Sequence, residues 1–184
     1  MRKLTGKYLF SVILFFFILQ GCTEIRDGSE ANGVNQEVPD QEILDAEVIF
    51  TKSERITSIL KARRLLIFEA KRLTIADSAF TLDIFDSEGK HTSVITADSG
   101  VVKGEDSLVA IGNVVVVSDS GVILETEILF WDRLRGGVRS DTDVVLTTES
   151  DTLYGDGLIA DEALNNWEIF NPRGTTIREI KKKP

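Results

Sequence analysis

The sequence predicts an all-β fold, and three observations carry this prediction. Phe80, Leu82 and Ile84 alternate with polar residues, which places them on one face of a strand. Residues 114–117 are all valine, and β-branched side chains favour strands over helices. Turns rich in glycine and aspartate separate such segments at intervals of roughly 8 to 18 residues, which is typical of a sandwich, barrel or roll.

The longest alternating segment lies between residues 121 and 131. Its predicted inward set is apolar apart from one threonine and consists of Val122, Leu124, Thr126, Ile128 and Phe130. The predicted outward set carries both acids of the segment. Because side chains of a strand alternate with a period of two, the two sets are expected on opposite faces. This segment is therefore the clearest candidate for an inward wall of the fold.

Residues 56–60 allow two interpretations. Ile56, Ile59 and Leu60 fit the apolar stripe of a helix, whereas Ile56, Ser58 and Leu60 fit one face of a strand. Nothing shortly after this segment signals the end of a helix. The local pattern therefore leaves the choice open.

The N-terminus has the organisation of an export signal. The first seven residues contain three positive charges and no acid. Residues 8–19 are apolar apart from Ser11, which is about half of the roughly 20 residues that span a bilayer. A charged start, a short apolar middle and small residues at the end predict a signal peptide over residues 1–21.

The end of this signal, Leu19-Gln20-Gly21-Cys22, resembles the lipobox of bacterial lipoprotein precursors. The resemblance implies that the Cys22 thiol receives a diacylglycerol and that Cys22 becomes the new N-terminus. Two or three lipid chains anchor a protein stably, whereas one does not. The alternative is a plain signal peptide or a short membrane anchor, with Cys22 an ordinary thiol. Since Cys22 is the only cysteine, packing rather than a disulfide must hold the domain together.

Composition divides the rest of the chain into a tether, a domain and a tail. Residues 22–42 are polar and contain two glycines and one proline, which predicts a flexible tether. The apolar content then rises, and residues 43–178 are long enough for one domain with its own core. Residues 179–184 form a basic tail.

The charge balance is acidic and excludes one class of partner. Removing the signal takes away three positive charges and no acid, so the formal charge falls from −9 to −12. Proteins that bind nucleic acid present basic faces, so no nucleic acid partner is expected. An acidic surface is also not attracted to anionic lipid, so the membrane contact is expected through the lipid anchor.

A family resemblance rests on the order and spacing of several segments. They are residues 56–62, 82–89, 93–100, 110–116, 121–131, 139–144 and 155–158. Together they resemble the LptC family, the periplasmic component of lipopolysaccharide export, and its OstA-like or LptA-like relatives. The resemblance covers about residues 43–175. It implies a β-jellyroll of stacked antiparallel strands that is open along one seam, and it favours a strand for residues 56–60.

The resemblance also implies a function in lipopolysaccharide export. Members of the family accept lipopolysaccharide from the inner-membrane complex of LptB, LptF and LptG and pass it to an LptA-like bridge protein. This chain departs from many members in having a lipobox instead of a transmembrane helix. A periplasmic, lipid-anchored location on the inner membrane is expected, although Thr23 after the cysteine fits outer-membrane sorting in enterobacteria.

A lipid carrier needs a slot in which acyl chains leave water, at about 0.8 kcal/mol per methylene. The first candidates for its lining are the inward residues Val122, Leu124, Ile128 and Phe130. Further candidates lie on other predicted strands and are Phe80, Leu82, Ile84, Val115 and Val117. The same apolar faces fit an ordinary filled core. The alternative function is therefore a structural or adaptor lipoprotein that binds only protein partners.

The last predicted strand, near residues 167–177, is the candidate edge for a partner protein. Trp167, Ile169 and Ile177 lie on it. An unpaired strand edge can recruit another chain through main-chain hydrogen bonds. The alternative is an ordinary terminal strand that the tail covers.

Enzyme chemistry finds little support in the sequence. His91 is the only histidine and follows a predicted turn, so no Ser-His-Asp or Cys-His arrangement is expected. No cofactor is predicted, and no metal site of histidine and cysteine. Acids such as Asp141 and Asp143 leave glycoside hydrolysis as a third hypothesis, although aspartates of this kind usually belong to turns.

Overall fold

Fourteen β-strands make up the part of the chain that the computed structural model describes, residues 37–176 apart from 105, 106 and 133. They are numbered in chain order: β1 Gln41–Lys52, β2 Arg55–Phe68, β3 Leu73–Ala76, β4 Phe80–Phe85, β5 His91–Ala97, β6 Ser99–Lys103, β7 Ser107–Ser118, β8 Ile123–Asp132, β9 Gly137–Ser140, β10 Val144–Thr147, β11 Asp151–Gly155, β12 Leu158–Asp161, β13 Trp167–Ile169 and β14 Arg173–Thr176. A short 3-10 turn, Glu69–Lys71, joins β2 to β3. The neighbouring strands run antiparallel, so the predicted all-β fold class is confirmed.

Four long strands, β1, β2, β7 and β8, organise the fold into two layers. One edge of β2, for example, pairs with β4 through residues 58–62 and with β3 through residues 65–68. The first layer has the strand order β1-β2-β4-β5-β7-β8-β10-β11-β14. The second layer has the order β1-β2-β3-β6-β7-β8-β9-β12-β13. The long strands therefore belong to both layers, and the layers meet along a crease.

The crease is the line along which the long strands pass from one layer to the other. On β1 it is marked by Asp45 (φ 49°) and on β7 by Gly112 and Asn113 (φ 80° and 44°). These positive φ angles suit glycine and asparagine. The side chain of Asn113 donates a hydrogen bond of 2.6 Å to Asp98, the residue between β5 and β6. The bend of β7 is thus tied to the bend of its neighbours.

The core lies between the layers and is one continuous apolar cluster. Leu82 and Ile95 enter it from the first layer, and Leu108 and Val138 enter it from the second. The cluster runs from Ala46 to Ile169. These residues therefore contain a hydrophobic core of their own, as expected of a unit that folds independently.

At three places the strands of the structure can be compared directly with the strands expected from the sequence. Residues 56–60, which the pattern left open, are part of β2. β1 begins at Gln41, ahead of the predicted start of the domain at residue 43. The single last strand predicted near residues 167–177 was wrong, because β13 and β14 are separate strands with Pro172 between them. Proline lacks the N–H that a continuous ladder needs.

Candidate functional site

The inward face of the first layer contains four of the predicted lining residues. Phe80, Leu82 and Ile84 of β4 and Leu124 of β8 are almost fully buried in the cluster between the layers. Val122, just before β8, is half-buried and packs against the same cluster. Their contact with a lipid stays a prediction, but the structure does bring these five residues to one interior.

The prediction that Ile128 and Phe130 share this inward face was wrong. β8 changes face within the strand, so that Leu129 and Trp131 are buried while Ile128 and Phe130 point outward, half-buried. β8 changes face where it crosses the crease, as β2 does between Ala62 and Leu65. β7 keeps its alternation because it carries an extra residue there, between Ile111 and Val114.

Val115 and Val117 also lie on the outward face. Their neighbours Val114 and Val116 are fully buried, whereas Val115 is half-buried and Val117 is exposed. A run of identical residues has no period of two, so the sequence offered no way to choose the inward pair. Two of the four valines therefore face the core, and the predicted two do not.

Several rim residues on the inward side were missed by the sequence reasoning. They are half-buried apolar side chains packed against the core: Val48, Phe50, Val102 and Leu153. Val48 and Phe50 lie on β1, where a period of two against Glu47 was visible in the sequence. Since β2 is the only described strand that pairs with β1, the inward side chains of β1 stand at an open margin of the interior.

A buried cluster of hydroxyl groups lies at the crease, and it explains why Thr126, a polar residue, belongs to the inward face of β8. Thr126 Oγ1 lies 2.9 Å from Ser140 Oγ and 3.0 Å from Thr142 Oγ1. It also donates to the carbonyl oxygen of Asp143 at 2.9 Å. Buried hydroxyls are tolerated when they are hydrogen-bonded in this way. These residues hold β8 against the connection between β9 and β10.

Opposite the crease, the loop between β12 and β13 connects the two layers. This mouth loop consists of residues 162–166. The Ser93 hydroxyl of β5, in the first layer, donates a hydrogen bond of 2.6 Å to the carbonyl oxygen of Glu162. The Trp131 indole donates one of 2.5 Å to the carboxylate of Glu162. Leu164 is only 1% exposed and belongs to the core cluster.

A pocket of about 480 Å³ lies beside the mouth loop. Arg55 and Phe85 line it from the first layer, and Trp131 and Glu162 line it from the second. The Arg55 guanidinium donates to the carbonyl oxygen of Ser87. This mouth pocket therefore combines aromatic and charged side chains where the margins of the two layers come together.

Two acids line the mouth pocket, and their pKa values are displaced in opposite directions: the backbone hydrogen bond from Lys90 lowers the pKa of Asp86, whereas the pKa of Glu162 is raised. Burial raises the pKa of its carboxyl above the ordinary value of 4.5, against the hydrogen bond from Trp131, which lowers it. The carboxylates of Asp161 and Asp132 raise it further.

A second, larger groove of about 1030 Å³ lies on the second layer. Its apolar lining includes the outward residues Val109, Phe130 and Ile159. The Arg139 guanidinium stands 4.9 Å from the centre of the Phe130 ring, within range of a cation–π contact. The Ile159 side chain is 48% exposed, so this groove presents an apolar side chain to solvent.

The two terminal strands are open edges of the two layers. Among the strands that the structure describes, β13 pairs only with β12, and β14 pairs only with β11. Trp167 of β13 is 39% exposed, whereas Ile169 is turned into the core. Ile177, the third predicted edge residue, lies outside the described residues, as do Leu19, Gln20, Gly21 and Cys22.

His91 lies on the surface between two carboxylates. Its Nδ1 is 2.8 Å from Asp119 and its Nε2 is 3.7 Å from Asp83. The nearby hydroxyls of Ser118 and Ser120 bond each other at 2.8 Å.

In the described part of the chain, no cluster of three or more metal-ligating side chains occurs, and no helix is long and apolar enough to cross a membrane.

Comparison with solved structures identifies the fold as that of an LptA-like β-jellyroll. The chain is similar to the crystal structure of LptH from Pseudomonas aeruginosa, the LptA-homologous periplasmic component of the lipopolysaccharide transport device. The TM-score is 0.52 at 8% sequence identity, and the match covers 66% of this chain and 94% of that chain. No protein-family model and no curated protein matches the sequence. The predicted jellyroll is therefore confirmed.

Proposed function

We propose that this protein is a lipid-anchored periplasmic component of lipopolysaccharide export. The observation that carries the proposal is a two-layered jellyroll with a continuous apolar interior and a margin lined by half-buried side chains such as Val48 and Phe50. Alternating strands provide such a wall because every second side chain faces it. The fold's likeness to a periplasmic transport protein supports the same conclusion.

The proposed partners follow from the LptC resemblance and the geometry of the edges. Lipopolysaccharide arrives from the inner-membrane complex of LptB, LptF and LptG, and it leaves toward an LptA-like bridge protein. The open edges of β13 and β14 support docking of that bridge by strand addition. The lipobox at Cys22 supports a lipid anchor, and the proposed transfer from the inner-membrane complex favours the inner membrane as its location.

The second candidate function is an adaptor that binds only protein. It is favoured by one specific observation, the complete burial of interior side chains such as Leu82, Ile95 and Leu124. A carrier must open this interior to admit an acyl chain, whereas an adaptor leaves it closed. The two functions therefore differ in whether the inward margin ever contacts lipid.

Binding of purified lipopolysaccharide to residues 23–184, the exported chain without its lipid-bearing Cys22, separates the two functions. We expect Phe50→Asp to weaken binding by about tenfold or more, about 1.4 kcal/mol, because a charge then stands in the apolar margin. Phe130→Asp is the matched control, since Phe130 is also half-buried but faces outward. Folded wild-type protein that retains no lipopolysaccharide would favour the adaptor.

A further inference from the structure

The mouth loop contains a residue that its position in the chain does not explain. Leu164 lies in a loop between two strands, yet its side chain is as deeply buried as the strand residues of the core. Its φ of 53° lies in the left-handed region, which leucine rarely adopts. A strained backbone of this kind persists only where the surroundings compensate for it, and here burial of the side chain does so.

The loop is attached in a way that allows it to leave without breaking a sheet. β12 ends at Asp161 and β13 begins at Trp167, so Leu164 takes no part in a strand ladder. Within the loop, the Leu164 N–H donates to the Asp161 carbonyl oxygen at 3.1 Å. The hydrogen bond from Ser93 to Glu162 links the loop to the first layer, and the Trp131 indole holds the Glu162 carboxylate. The bonds from Asn165 and Asn166 to Asp161 lie within the turn and can move with it. Opening the loop therefore breaks two hydrogen bonds to the rest of the fold and no strand ladder.

The chemistry of the site matches one end of a lipid. The branched apolar side chain of Leu164 has the character of the methyl end of an acyl chain, and it occupies the interior next to the mouth pocket. Glu162, two positions away in the same loop, lines that pocket together with Trp131. The route from the pocket to the interior therefore leads past the mouth loop.

We propose that the space filled by Leu164 is an acyl-chain site, and that the mouth loop occupies it until a lipid chain displaces it. This inference rests on the proposed function, which supplies the lipid. The loop is a placeholder: it keeps the interior closed to water in the unloaded protein and makes room for one chain at the mouth. Apparent affinity is then reduced by the fraction of molecules whose loop is closed.

The test measures binding of cis-parinaric acid, a fluorescent fatty acid, to residues 23–184. Leu164→Ala removes the placeholder, and Ser93→Ala removes the hydrogen bond to Glu162 without creating a cavity. Because each variant raises the open fraction, we expect both to bind about threefold to tenfold more tightly than wild type. Ser93→Ala carries the test alone if Leu164→Ala does not fold.

Leu129→Ala is the matched control, because Leu129 is equally buried but lies within β8. It creates a cavity of the same kind in the core without touching the loop, and its affinity should not rise. Equal gains for Leu129→Ala and Leu164→Ala, or no gain for Leu164→Ala and Ser93→Ala, would overturn the inference. If wild type binds lipopolysaccharide while the loop variants show no gain, only the placeholder fails. If no form binds either ligand, the proposed function fails as well.

Discussion

Gly155→Ala is expected to destabilise the protein by about 3 kcal/mol, at the upper end of the usual cost of overpacking. Gly155 ends β11, where the chain crosses to the second layer. A Cβ at this position would overlap Cγ2 of Ile169 and would lie 2.8 Å from the carbonyl oxygen of Phe170. One of these neighbours is backbone, so it cannot move aside without disturbing β13. Urea unfolding followed by tryptophan fluorescence measures the effect.

Gly121→Ala is the control for this substitution. Gly121 has a φ of 85°, and nothing lies within 4 Å of the position of its Cβ. Its cost is therefore that of the left-handed backbone alone, about 1–2 kcal/mol. If the two substitutions destabilise the protein equally, the close approach at Gly155 is not what makes glycine necessary there.

Phe80→Ala is expected to cost about 3–5 kcal/mol, the range for removing a buried aromatic side chain. The Phe80 ring is 3% exposed and lies against Gly100 of β6, so it connects β4 of the first layer to the second layer. A Cβ at Gly100 would come within 2.6 Å of this ring. Loss of the ring leaves a cavity at the crease that the surrounding strands cannot fill.

Phe130→Ala provides the comparison for this prediction, and the free energy of unfolding of both variants is measured in urea. Phe130 is half-buried on the outward face, so its removal should cost about 1–2 kcal/mol. A cost for Phe130→Ala that equals or exceeds that of Phe80→Ala would contradict the assignment of the two faces.

The strand that stays in one layer could be predicted from the sequence, but the strand that crosses the crease could not. β4 alternates without interruption, so Phe80, Leu82 and Ile84 were placed correctly on one face. β8 alternates just as clearly in sequence, yet its buried face changes between Thr126 and Leu129, where it crosses the crease. Nothing in the sequence of β8 itself marks that point.

The open margin and the mouth loop were missed for different reasons. Val48 and Phe50 alternate with Glu47 in the sequence, but only the pairing of β1 with β2 shows that this face is turned to the interior. Leu164 is the one large apolar residue of a short loop, which offers no period at all. The hydrogen bond that links this loop to the first layer joins Ser93 and Glu162, which are 69 positions apart in the chain.

The most direct test of lipid carriage is photo-crosslinking in living cells, with benzoylphenylalanine in place of Phe50 or Phe130. Both positions are already aromatic and half-buried, and they face opposite sides of the sheet. A lipopolysaccharide carrier predicts lipopolysaccharide adducts at Phe50 and none at Phe130. Adducts at neither position in folded protein, or at Phe130 alone, would contradict carriage in the interior.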